Sequence, residues 1–226
     1  MKQIILFLLA ACLLFSSAIA GTLSTGDIIT IGTYEQDNNF ENGPEPIEWK
    51  VLLTENDEAL LISIMGLDAV PYHEPYEKVT WANCALRAWL NGTFLETAFS
   101  ADEIEFLIPS VLVNDDNSSF RTLGGETTED LIFILSANEC KQFLTPAANR
   151  QLKPTAYAKE MGVYPMSRGK NAGNCWWWLR TPGCVQDMAA YVKDDGALFY
   201  KGIDVDYLSA AVRPAVRIRI SLFEKR

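Results

Sequence analysis

Apolar positions along the chain change period several times, and each change predicts an element. Residues 28–33, IITIGT, are a β-branched run that reads as a short strand. Residues 47–54 and 59–65 are two apolar runs separated by Glu55-Asn56-Asp57-Glu58, which is the layout of a hairpin. At Trp81 the period lengthens, and Trp81, Cys84, Leu86, Trp89 and Leu90 fall on one helical face. Thr80 is placed to cap that helix and Asn91-Gly92 to end it. Ser100 with Glu103, and Ser136 with Glu139, have the spacing of capping boxes. The first opens a helix stopped by Pro109. The second opens one over 137–144, directly after the apolar strand 131–135. Pro154-Thr155 begins another short helix, closed by Gly162.

Alternation returns near the C-terminus. Residues 188–192 and 197–200 flank Lys193-Asp194-Asp195-Gly196, and Asp-Gly favours a tight hairpin because glycine tolerates positive φ. In the last segment, 212–220, Val216, Ile218 and Ile220 share one face and Arg217 and Arg219 the other. Pro214 has no amide proton to donate, so it marks an edge or the start of a strand. Between these regions, residues 114–130 are rich in Asp, Asn, Ser, Gly and Thr and read as a long loop. Strands with helices inserted in the middle, without regular βαβ alternation, predict an α+β domain with a mixed or antiparallel sheet.

The first residues, MKQIILFLLAACLLFSSAIA, carry an early lysine, an apolar run and a small-residue end, the plan of a secretory signal cleaved after Ala20. A lipid-modified Cys12 is the rival reading, since Leu9-Ala10-Ala11 precedes it. The apolar run is too short for a convincing membrane span. Residues 21–226 contain no linker-like stretch and are expected to form a single domain, secreted or held at the cell surface. The net charge of −10 argues against nucleic acid, for want of a basic patch to neutralise phosphates. In an oxidising compartment the remaining cysteines invite disulfides, expected as Cys175 with Cys184 and Cys84 with Cys140; buried free thiols are the alternative.

Several segments occur together in a fixed order: TWANCALRAWLNGTFLETAFS from Thr80, DLIFILSANE from Asp130, PTAYAKEMG from Pro154, WWLRTPG from Trp177, AAYVKDDG from Ala189 and VRPA from Val212. As a set they resemble the bacterial domain of unknown function 6273, found in secreted, surface-attached and multidomain proteins. The family has no established activity, so the resemblance implies none. The C-terminal pattern of W-L-R, A-Y-V-x-x-D-G and V-R-P also resembles the C-type-lectin-like fold, which formylglycine-generating (sulfatase-modifying) enzymes share. That likeness implies a core sheet built from the tryptophan-rich strand, a hairpin, and a last strand paired with the first. Those enzymes carry two active cysteines late in the chain. Cys175 and Cys184 instead flank the tryptophans, without a matching motif.

The candidate chemistry centres on Trp176, Trp177 and Trp178. On a strand they alternate sides, so two at most point one way. They either bury apolar surface or present a ring platform for a sugar. Arg180 reads as a structural ion pair with a loop carboxylate such as Asp187. Asp115-Asp116-Asn117, Asp194-Asp195 and Asp204 with Asp206 are oxygen-rich turns, either solvated or able to hold calcium; no other cofactor is expected. His73 is the single histidine, and the chain has no nucleophile elbow or phosphate loop. The expectation is therefore an exported, non-catalytic module that binds glycan or a surface protein. Trp176, Trp178, Tyr164, Phe199, Tyr200, Asp204, Asp206 and Tyr207 would make the contacts, from loops 114–130, 164–174 and 201–209. An enzyme of unknown reaction, carbohydrate-active or thiol-using, and a structural part of a surface assembly are the alternatives.

Overall fold

The computed structural model describes residues 23–225; the expected signal segment, with Cys12, lies outside them. In chain order the elements are β1 (Ile28–Tyr34), β2 (Glu45–Glu55), β3 (Glu58–Ser63), α1 (Ala85–Trp89), α2 (Leu95–Ala98), α3 (Ala101–Ile104), β4 (Ser110–Leu112) and β5 (Thr128–Asp130). They continue with β6 (Ile132–Phe133), α4 (Ala137–Phe143), α5 (Ala156–Met161), β7 (Trp177–Pro182), β8 (Met188–Val192), β9 (Leu198–Asp204), β10 (Ala215–Arg219) and α6 (Ile220–Phe223). This is an α+β chain with antiparallel strand ladders and short helices, as the sequence pattern predicts.

Five strands form one sheet in the order β1-β2-β3-β10-β6, and β7-β8-β9 form a second, three-stranded one. The β2–β3 hairpin turns at Asn56 and Asp57, both at positive φ (50° and 66°), a conformation that Asn and Asp adopt more readily than most residues. Its centre, β3, is buried from Ala59 to Ser63 and lies between β2 and β10. The expected pairing of the first and last strands is corrected here. β1 pairs only with β2, and β10 lies between β3 and β6. The reason lies in exposure: β1 is half exposed, with Ile28 at 59%, whereas Val216 and Ile218 of β10 are fully buried and need strands on both sides. The two ends of the described segment still meet, because the Leu23 amide donates to Glu224 Oε1 at 3.2 Å.

β1 bulges between Thr30 and Thr33 at Gly32, whose φ is +69° and whose absent Cβ would stand 2.5 Å from the Ala98 carbonyl oxygen. Only glycine lets the strand cross α2 this closely.

The helical region differs from the expected single helix. Thr80 makes no side-chain cap; a 3₁₀ turn, Trp81–Asn83, comes first, and Cys84 Sγ caps α1 by accepting from the Arg87 amide. Asn91-Gly92 does not end the helix, which widens into a π-turn over Leu90–Phe94 before α2. Asn91 explains the widening. Its Nδ2 donates to the Arg87 and Ile132 carbonyls while its Oδ1 accepts from the Leu131 and Ile132 amides. The side chain thus serves as a short strand beside β6, at a π-bulge. Both expected capping boxes are present, at Ser100 and Ser136, and Thr155 caps α5, which Gly162 closes at φ 130°.

Candidate functional site

The second sheet carries the tryptophans. Alternation along β7 sends Trp177 and Leu179 to one side and Trp178 to the other. Trp177 and Trp178 are both fully buried. The Trp177 indole donates to the Arg150 carbonyl at 2.9 Å, and the Arg213 guanidinium sits 5.0 Å above its ring. Trp178 donates to the Val70 carbonyl at 3.1 Å beneath the Tyr72 ring, 5.8 Å away. It therefore cannot meet a ligand, which corrects its place among the expected contacts. A buried indole is stable here because its N–H finds an acceptor.

Trp176 is different. It precedes β7 on the Trp178 side and is only partly covered. Its ring stacks on Tyr191 of β8, with centroids 4.7 Å apart and planes at 29°. Tyr207 lies 6.3 Å away at 33°, and Tyr191 in turn leans on Phe199 of β9 at 5.2 Å. The indole N–H reaches Asp194 Oδ1 at 3.3 Å. Asp194 also accepts from Asn171 Nδ2, and its carbonyl accepts from Asn174 Nδ2, both at 2.9 Å. Burial would raise the Asp194 carboxyl, but the hydrogen bonds from Asn171 and Trp176 outweigh it and hold the group below its ordinary value. The turn that places Asp194 depends on Gly196, whose φ is +83° and whose Cβ would strike the Ala147 carbonyl oxygen at 2.0 Å.

Two of the three expected loops converge on this ring stack. The Tyr164 amide donates to the Ser209 carbonyl, joining loop 164–174 to loop 201–209, and the Tyr164 ring is 64% exposed. Asp204 and Asp206 are exposed at the end of β9. A third segment, around Tyr76, joins them. The Val205 amide donates to the Asp187 carbonyl, and the Val205 carbonyl accepts from the His73 amide. Desolvation, then the nearby carboxylates of Asp187, Asp204 and Asp206, push the Tyr76 phenol up. Nothing in the sequence period signals Tyr76, since it lies over a hundred positions from these carboxylates. The product is a surface of rings with a carboxylate margin.

A model of the family described as Domain of unknown function (DUF6273) matches residues 51–220, well over half of the chain. The chain belongs to the DUF6273 family. No curated protein and no solved structure matches it. The matched residues hold the whole ring surface; β1 and the turn after it lie outside them.

Other expected contacts of this DUF6273 domain lie elsewhere. Tyr200 is on the opposite face of β9 from Phe199. Lys141 Nζ sits 5.0 Å over its ring, and the Tyr200 hydroxyl is buried with no hydrogen-bond partner among the described residues. Loop 114–130 is a clamp rather than a free binding loop. Asn117 Nδ2 donates to the carbonyls of Pro182, Gly183 and Tyr200 at 2.8, 3.2 and 2.8 Å. Asn114 Oδ1 accepts from Arg180 Nε, and Gln186 Nε2 donates to the Leu123 carbonyl. Arg180 is buried, and its carboxylate partner is Glu139, not Asp187. Its Nη1 and Nη2 grip Glu139 Oε2 and Oε1, while Glu139 also caps the start of α4. A planar, bidentate pair of this kind holds β7 to α4.

The expected disulfides are likewise corrected: Cys84, Cys140, Cys175 and Cys184 are free thiols. Cys84 serves as a helix cap, Cys175 Sγ points to the Leu152 carbonyl at 3.6 Å, and Cys184 lies beside Met188 Sδ. His73 is structural too, with Nδ1 accepting from the Ala85 amide and Nε2 3.1 Å from Glu77. Among the described residues, Glu35, Asp37 and Glu45 each bring a carboxylate oxygen within 4.8 Å of the others. A cavity of about 430 Å³ lies against β1. Its one carboxylate, Glu103, is occupied by the Gly32 amide and the Ser100 cap. No helix among the described residues is long and apolar enough to cross a membrane.

Proposed function

We propose that this DUF6273 domain is an exported, non-catalytic module that binds glycan at the cell surface through the ring platform around Trp176. The observation that carries this reading is the part-exposed Trp176 ring, stacked on Tyr191 and backed by Tyr207. A pyranose presents an apolar C–H face and a rim of hydroxyls. The indole offers a flat apolar surface to the first, and Tyr164, Asp204 and Asp206 offer hydrogen-bonding groups to the second. Asp194 and Asn171 fix the indole before any ligand arrives, which lowers the ordering cost of binding. The reading extends to a C-type-lectin-like architecture. In its favour are the contact between Leu23 and Glu224, at the two ends of the described segment, and the β8–β9 hairpin beside the tryptophan strand. It also takes residues 1–20 as a cleaved signal.

A glycan array probed with the purified protein, with and without chelator, tests it. Binding to a defined glycan that is lost in Trp176→Ala and in Tyr207→Ala is the expected result. Loss in chelator alone would assign calcium to the carboxylate margin. Full binding by both variants, or capture of a protein ligand in place of every glycan, would overturn the platform.

A further inference from the structure

A second aromatic site lies on the opposite side of the chain's course, where β1 gives way to the turn 35–44. A cavity of about 270 Å³ opens there between Tyr34, Phe40 and Tyr157, with Glu35 on its wall. Tyr157, on α5, stands nearly perpendicular to both other rings: 5.8 Å and 78° from Tyr34, 6.1 Å and 83° from Phe40. With Tyr157 at right angles to each of the others, the three rings form sides of a box. Phe40 is 71% exposed, so this wall of the box faces solvent.

Acidic groups stand around the box. Glu35, Asp37 and Glu45 bring carboxylate oxygens within 4.8 Å of one another. Behind the Tyr34 wall, Asp68 is 6% exposed and accepts the Tyr34 hydroxyl at 2.5 Å. None of the ion pairs among the described residues includes any of these four acids. The carboxylates alone would make an ordinary solvated turn. Beside an apolar, ring-walled cavity they supply a negative field where water is partly excluded. Burial, and then the charges of Asp68 and Glu35, push the Tyr157 phenol up, the response expected of a group in such a field.

The turn is also built before use. Glu45 Oε2 accepts from the Gln36 amide at 2.7 Å, and Asp37 holds the Asn39 amide and Asn42 Nδ2, both at 2.8 Å. The Gln36 carbonyl accepts from the Tyr157 amide at 3.0 Å, tying the turn to α5. Ring faces carry partial negative charge and attract cations whose hydration is weak. We propose that the Tyr34–Phe40–Tyr157 box binds an alkylated ammonium group, with Glu35 and its neighbouring carboxylates supplying the charge complement. A small inorganic cation would prefer the carboxylates and ignore the rings. An uncharged alkyl group would use the rings and ignore the carboxylates. The alkylated ammonium uses both.

Titration of the full protein with choline chloride, followed by the ring-proton resonances of Phe40 and Tyr157, tests the proposal. Choline is expected to shift these resonances saturably. The uncharged isostere 3,3-dimethylbutan-1-ol should bind about tenfold more weakly or worse. Tyr157→Leu and Phe40→Ala should each weaken choline about tenfold, Phe40→Tyr should retain it, and Glu35→Gln should lessen both affinity and salt dependence. A peptide carrying trimethyllysine presents the same group on a polypeptide. Tighter binding of that peptide would identify a polypeptide source, and tighter binding of choline a small solute. Equal binding of choline and its neutral isostere, unmoved resonances at tens of millimolar, or full choline binding by both ring-removing variants would overturn it. Folding of each variant is read from its own amide spectrum, so loss of the site is distinguishable from loss of the fold.

Discussion

Trp176 and Trp178 lie two residues apart on the same side of the second sheet, yet their surroundings are opposed. Trp178 is sealed by Tyr72 and the Val70 carbonyl. Beyond it in the chain, Arg180 is locked to Glu139 and Asn114 under the clamp of loop 114–130. Trp176 rests on Tyr191 with its outer surface only partly covered. One end of the tryptophan run has become core and the other a surface, and what differs is the neighbouring loop, not the residue. The largest effect is expected where that difference is erased. Trp178→Ala should lose about 3–5 kcal/mol of unfolding free energy, because a buried ring leaves a cavity. Trp176→Ala should lose about 1 kcal/mol, the scale of one aromatic pair, while losing glycan binding. Denaturant titrations of the two variants side by side measure the contrast. Equal losses would mean that Trp176 is as much core as Trp178.

Next in size is the clamp itself. Asn117 is 1% exposed, and its amide reaches three carbonyls across the β7–β9 end. Replacing it with alanine strands these acceptors and should remove about 1–3 kcal/mol. Hydrogen exchange should accelerate at the Asn117 and Arg121 amides, which donate to the Thr122 and Asn117 carbonyls, and stay slow at Trp177 and Val192. Unchanged exchange in the loop would show that other contacts hold it closed.

The local devices of this fold were legible in the sequence because each has a short-range cause. The Asn56-Asp57 turn, the Ser100 and Ser136 caps, and the Asp195-Gly196 hairpin are set by residues at most four apart. What the sequence withheld is set at long range. Asn91 looks like a helix stop and is instead bonded to Leu131 and Ile132, about forty positions on. The polar composition of 114–130 is the same for a free loop and for one whose Asn117 meets Pro182. Only packing separates them. Strand order was misjudged for a related reason: alternation shows which face of β10 is buried but not which strands flank it. For the candidate site, Trp176 and the trio Asp204, Asp206 and Tyr207 could be singled out by residue type, in two segments some thirty positions apart. Tyr191 and Tyr76 could not be, since their roles depend on register across β8 and on the loop after β3.

The thiols sharpen the same contrast without a large change in stability. Cys175 is buried beside Trp176, while Cys184, at the other end of β7, is partly open. Burial pushes the Cys175 and Cys84 thiols up to about 12 and the Cys140 thiol well above its ordinary value. At pH 8 these three hold almost no thiolate, the reactive form. Mass mapping after brief alkylation of the native protein should find Cys184 labelled first, and all four labelled only after unfolding. Even labelling, or any disulfide among the four, would contradict the arrangement described.

The smallest effect concerns the acid that holds Trp176. Asp194 keeps its carboxyl below the ordinary value through Asn171 and the Trp176 indole, so its folded form binds a proton less readily than its unfolded form. Its contribution to stability is therefore fully present above about 3.9, the ordinary aspartate value, and is lost as pH falls through the lower folded value. The group is partly exposed and the stability change small, but the indole N–H points directly at it. As pH falls below about 4, the Trp176 indole N–H resonance should move, and the movement should vanish in Asp194→Asn. That variant still offers an oxygen to the indole, so its stability at neutral pH should stay close to that of the parent, and its platform should still bind. A Trp176 resonance that ignores acid would mean that the carboxylate does not fix the ring, and that Tyr191 alone keeps this end of the tryptophan run in place.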